Sequence, residues 1–306
     1  MSKVRLIQHR PEPHLHPEHP DPSLRSQAVG RLKLTLLVGL AMIICESVGS
    51  WLSHSLALLA DAVHVLADVL AIAITLLASR LAERPQSPKR SYGYYRLEVL
   101  AALFNGLLLV LISGFILQKA YERFSHPNEI HADIMLGVAL LSLVANVVMV
   151  ALLRPSHSHN LNLRGAYLHV LSDTMSASAV ILGAYLIYLT RQNWIDSVAG
   201  GFVAVFIFVM ALRLIWDSVH ILLEGTPKHM DPEEIETKLR NAFPQIVNIH
   251  DFHVWEITAH LFAMTAHVEA RVRSLEETRV LVDEMNALIR KQYGIGHTTF
   301  QVEPTS

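Results

Sequence analysis

Residues 58–70 read LLADAVHVLADVL, and residues 166–178 read AYLHVLSDTMSAS. Each segment carries a histidine and an aspartate four positions apart: His64 with Asp68, and His169 with Asp173. On an α-helix, residues four apart share one face. The surroundings of both pairs are almost entirely apolar. Ionisable groups in such surroundings are costly, so they mark function when the helix lies in a membrane.

The rest of the chain supports a membrane setting. A spanning helix needs about 20 mostly apolar residues. Six stretches meet or approach that length: 32–52, 55–81, 99–117, 134–153, 161–190 and 197–222. The two His–Asp pairs fall in the second and fifth. Over the 306 residues, 52% are hydrophobic and only 17% charged. Soluble domains carry about 25% charged residues. The composition therefore argues against a disordered chain or an ordinary soluble enzyme. A formal charge of −2 leaves no footprint for nucleic acid. Cys45, the single cysteine, excludes a disulfide framework, a CxxC ribbon and an iron–sulfur cluster. No signal peptide is expected, because the first thirty residues are polar and hold five prolines between His9 and Pro22.

Basic residues set the expected orientation. With the N-terminus inside, the inner segments, counting Lys33 at the inner edge of the first span, hold 13 Lys and Arg and the outer ones 3. Six spans then place both termini in the cytoplasm. Span two enters from outside and span five from inside. Each His–Asp pair then lies roughly 12 to 20 Å from its own surface of a ~30 Å core. The pairs meet near one midplane, the level at which transporters place their sites. Two imidazoles and two carboxylates complete a four-coordinate zinc shell. A His–Asp pair can also be a plain interhelical hydrogen bond, but two matching pairs at one depth argue for metal.

These segments resemble the cation diffusion facilitator family, in its zinc-efflux branch. The resemblance rests on SLALLADAVHVLAD (55–68), SYGYYRLEVLAALFNG (91–106), LHVLSD (168–173), LLEGTP (222–227), HDFHVWEI (250–257) and HTTFQVE (297–303). It implies six spans, a homodimer and exchange of a divalent cation for protons. It makes His64, Asp68, His169 and Asp173 the transport ligands, with histidine at position 64 going with zinc. Some members hold another metal between spans two and three. Here that loop reads RPQSPKRS (84–91), with no histidine and no acid, so no site is expected there.

Beyond Glu224 the chain turns polar. A helix over 231–243, strands over 246–257 and 261–270, a helix over 275–293 and a strand over 298–302 give the order α-β-β-α-β. The resemblance implies a ferredoxin-like domain that binds metal at a dimer interface through the positions of His250, His267, His297 and Glu303. Val280 stands where some members have another histidine. His229 and His253 are further possible ligands, and surface histidine is the competing reading for the whole set. Metal bound there would join two tails and let cytosolic zinc bias the transporter.

Three domains are thus expected: a His- and Pro-rich disordered tail over 1–30, a transmembrane domain over 31–224 and a cytoplasmic metal-binding domain over 225–306. His9, His14, His16 and His19 in the tail, and His157 and His159 before span five, read either as weak metal capture or as solvated residues. Asp61 lies three positions before His64, as an outer-shell group, part of a proton path or a polar residue lining a wet cavity. Glu46, Asn105 and Asn146 suit hydrogen bonds between helices, and glycines 106, 114, 200 and 201 suit close helix packing.

The function expected is Zn2+/H+ antiport out of the cytoplasm, across what a compact chain with short loops suggests is a bacterial inner membrane. Zinc and protons are the small partners, with a second copy and the lipid bilayer as the large ones. Export of Cd, Co or Ni, and a zinc sensor that signals through the tail domain, are the alternatives. An intramembrane metalloenzyme would need an open coordination position and a base. Four ligands close the shell, so no enzyme is expected.

Overall fold

A computed structural model describes residues 22–82, 93–153, 161–258 and 261–304, with side chains omitted for 22–35, 149–175 and part of 72–82. The helices are α1 Pro22–Ser53, α2 Leu56–Ala82, α3 Arg96–Ser125, α4 Ala132–Leu153, α5 Leu161–Thr190 and α6 Trp194–Leu222. Then come α7 Pro232–Ala242, β1 Ile246–Thr258, β2 Leu261–Ala270, α8 Leu275–Tyr293 and β3 His297–Pro304. Among the described residues, α3, α6 and the Leu36–Ser53 part of α1 are long and apolar enough to cross a membrane. Ala132–Val148 and Ser176–Thr190 are shorter apolar stretches.

Two helices outrun the hydropathy pattern. α1 starts at Pro22, ten residues ahead of the apolar stretch that begins at 32. Leu24, Arg25, Gln27 and Ala28 are good helix formers, and adding them to a helix that is already nucleated costs little. α3 continues past Leu117 to Ser125. There Glu122 accepts from Lys119 at 2.7 Å and from Gln118 at 3.1 Å, one turn back.

α2 lies at the centre of the bundle. Its Leu56, Ala60 and Val63 pack with Leu109 and Ile116 of α3 and with Val203, Ala204 and Ile207 of α6. Ala57 and Leu58 face Met135 and Ala139 of α4 and Val180 and Ala184 of α5. Gly200 lets α6 come close to the α2 backbone, since a Cβ there would stand 3.0 Å from the Ala57 nitrogen. Gly114 differs from the packing role expected of it: its Cβ position meets nothing within 4 Å. Large apolar side chains such as Phe104, Leu111, Phe115 and Phe202 stay exposed on the outer faces, as a lipid-facing surface requires.

The tail folds around its own core of Ile235, Leu239, Val254, Met264, Val268, Leu281, Met285 and Ile289. Asp231 caps α7 by accepting from the Glu233 amide at 3.0 Å, and Ser274 caps α8 through Glu277. The sheet order is β1-β2-β3, antiparallel between β1 and β2 and parallel between β2 and β3. Thr258, at the end of β1, donates to Glu98 in the first turn of α3 at 2.7 Å and so ties the tail to the bundle.

Candidate metal centres

α2 presents Asp61, His64 and Asp68 along one face. Asp61 and His64 are buried, and Asp68 is half-buried. The Ser176 hydroxyl of α5 donates to Asp61 Oδ1 at 2.7 Å, which pins α5 to α2. The two helices run antiparallel. Asp196, just past the end of α5, sits on the start of α2, where it accepts from the Ser55 hydroxyl and the Leu56 amide, both at 2.6 Å. Counting from the Asp61–Ser176 bond, three residues along each helix brings His64 level with Asp173. Seven residues brings Asp68 level with His169. The side chains of His169 and Asp173 lie outside those described. The ring of Phe206 on α6 meets the His64 imidazole edge-on at 6.2 Å and closes that side with an apolar surface.

Glu46 on α1 is fully buried and accepts from the Ser142 hydroxyl of α4. This is an interhelical bond of the expected kind. Its second oxygen, Oε2, and Asn105 Oδ1 have no hydrogen-bond partner among the described residues.

The second cluster lies on the open face of the tail sheet. His250 of β1 pairs with His267 of β2, and their rings stand 5.3 Å apart. Glu303 of β3 reaches both: its Oε1 lies 3.0 Å from His267 Nδ1 and its Oε2 3.7 Å from His250 Nε2. One ligand atom from each residue falls within 4.8 Å of the others, a separation that suits a shared ion. His297 is not part of this group. It pairs with Ala263, four positions from His267 along β2, and stands six positions before Glu303 on β3, about 20 Å at strand rise. The residue of β3 opposite His267 is Gln301. His229 is turned away too, with its ring against Phe262 of the tail core at 5.2 Å.

A β-bulge arranges the β1 residues. His250 faces His267 and His253 faces Thr265, so three steps on β1 match two on β2. Residues three apart on a regular strand face opposite sides. Here Asp251 takes up the extra residue with φ 48, and both histidines stay on the open face. The Asp251 carboxylate lies 3.0 Å from His253 Nε2 and 3.6 Å from His267 Nε2. Asp251 and Asp196 were both missed by sequence reasoning. Asp251 had a visible signal, the odd spacing of HDFH; Asp196 looked like a loop residue. The tail and loop histidines at 9, 14, 16, 19, 157 and 159, His260 and the 84–91 loop lie outside the described residues.

The chain matches the family model for the cation efflux transmembrane domain over residues 32–223 and that for the cation efflux protein, cytoplasmic domain, over 227–305. It is 37% identical to the metal cation efflux system protein CzcD of Cupriavidus metallidurans over 290 residues, 95% of this chain and 89% of that protein. It is 36% identical to the cadmium, cobalt and zinc/H(+)-K(+) antiporter of Bacillus subtilis over 286 residues, 90% of each chain. It is 35% identical to the zinc transporter ZitB of Escherichia coli over 274 residues, 89% of this chain and 87% of that one. With both domains matched and relatives aligned over nearly their whole length, the chain belongs to the cation efflux, or cation diffusion facilitator, family.

Proposed function

We propose that this protein is a secondary-active exporter of divalent cations, chiefly Zn2+, with protons as the counter-ion. One observation carries the reading. The Asp61–Ser176 bond sets α2 and α5 in the register that levels His64 with Asp173 and Asp68 with His169. These four residues are the transport ligands. The relatives named for zinc, cadmium and cobalt efflux support the substrate class.

The mechanism follows from ligand chemistry. Zinc needs neutral imidazoles and ionised carboxylates, so loading the site releases protons and protonation releases the ion. Histidine is the side chain that titrates nearest physiological pH, which suits the pair to that exchange. A site open to the cytoplasm loads zinc, then opens to the other side, where protons displace it. No bond in a substrate is made or broken, so the protein is a carrier and no enzyme. Asp61 orients α5 against α2 and stands one turn from His64.

Six spans, both termini in the cytoplasm and a bacterial inner membrane complete this reading, with a ferredoxin-like tail and a homodimer. In the tail, His250, His267 and Glu303 hold a regulatory zinc. One subunit supplies three ligands, which leaves a fourth position for water or for a group of the second copy. Binding there biases transport if the metal-bound and metal-free dimers differ.

Zinc flux into proteoliposomes under an imposed pH gradient tests the function. Gradient-dependent accumulation is the expected result. Zinc bound by the tail with no flux would instead mark the protein as a sensor. For the tail, Glu303→Gln lowers zinc affinity at that site by more than about tenfold and leaves flux at saturating zinc in place. Calorimetric titration of the full chain, with Asp173→Ala silencing the transport site, reads the affinity.

A further inference from the structure

Arg213 lies on the outer face of α6, opposite the buried stripe of Gly200, Val203, Ala204, Ile207 and Ala211. It is exposed, and among the described residues it has no ion-pair partner. A helix that enters the apolar layer at Ser197 leaves it about 20 residues later, near Trp216. Arg213 therefore sits about one turn inside that boundary, where an unpaired charge is costly unless its head reaches an anion. The same place holds a cavity of about 440 Å³ lined by Val209, Leu212, Arg213, Trp216, Asp217 and Lys228. Its lining changes with depth. Val209 and Leu212 are apolar and exposed; Trp216 is 68% exposed at the level where aromatic residues anchor to an interface. Beyond them, Lys228 pairs with Asp217. Two cations against one acid leave the cavity positive.

We propose that this cavity binds an anionic phospholipid of the cytoplasmic leaflet, its phosphate on Arg213 and Lys228 and its acyl chain along Val209 and Leu212. A soluble anion would not account for the apolar floor, and a zwitterionic lipid would bring its own ammonium charge against the two cations Arg213 and Lys228. Basic pockets at this depth suit anionic head groups. The inference rests on α6 belonging to the family's transmembrane domain and is independent of which metal is carried.

Lipid-specific quenching of tryptophan tests it. The full chain is placed in phosphatidylcholine vesicles doped with either brominated phosphatidylglycerol or brominated phosphatidylcholine at equal mole fraction. The signal of Trp216 is the difference between wild type and Trp216→Phe. Brominated phosphatidylglycerol is expected to quench it more strongly. That preference falls about fivefold for each cation removed in Arg213→Gln and Lys228→Gln, and Arg213→Lys retains it. Equal quenching by the two lipids, or a preference that survives the double variant, overturns the proposal. So does a Trp216 quenched by neither lipid, which would mean that a second copy of the chain covers this face.

Discussion

Asp68→Asn and Asp173→Ala each lower proton-driven zinc flux by more than about 100-fold, while zinc still binds the tail. Loss of an outer-shell partner costs about 10- to 100-fold in metal affinity, and loss of a ligand exceeds that. In the proposed transport site the carboxylates matter twice over. They complete the shell, and their charge offsets that of the ion in a medium where an uncompensated charge is costly. Asparagine in place of Asp68 keeps the volume and one oxygen but removes the charge, so its failure separates electrostatics from shape. Ser176→Ala provides a graded control: it removes only the 2.7 Å bond to Asp61, and flux falls by at most about tenfold. Flux in both aspartate variants at wild-type level would move the transport site away from α2 and α5.

The second large effect is on stability. Asp196→Ala is expected to cost about 3 kcal/mol or more, read as a lower melting temperature of the detergent-solubilised protein. Asp196 is 1% exposed and accepts from the Ser55 hydroxyl and the Leu56 amide at 2.6 Å, and from the Ala57 amide at 3.2 Å. It thus caps α2 from another helix. Its removal leaves buried amide donors at the start of α2 where no water can replace them. The Asp196→Asn variant keeps one acceptor oxygen and is expected to recover part of the loss. Zinc affinity at the tail is unaffected, since that domain has its own core.

The helices of the bundle were legible because their sequences are largely apolar over long stretches. α5 and β2 even have the bounds their patterns suggest, Leu161–Thr190 and Leu261–Ala270. The ends were less legible where helices leave the apolar layer, since side-chain pairs such as Lys119–Glu122 extend α3 without any hydropathy signal. The tail cluster was readable as a set of histidines and an acid, but not as a geometry. Parallel pairing of β3 with β2 brings Glu303 to His267 and leaves His297 four positions away. A sequence shows neither register nor strand order, so His297 could not be told from Gln301. Asp196 was hidden for a similar reason: its partners, Ser55 to Ala57, lie about 140 residues earlier in the chain.

The bulge in β1 makes chain length itself a determinant of the tail's chemistry. In an even strand the neighbour of His250 would turn its side chain into the core, where a carboxylate could not stay. The supernumerary Asp251 escapes that alternation and adds an acid between two imidazoles. Deleting it would restore one-to-one pairing and keep His250 and His253 on the same side, removing only the negative charge. The presence or absence of a single residue at this point therefore decides whether a second acid joins Glu303 beside the histidines, even where every flanking letter is the same.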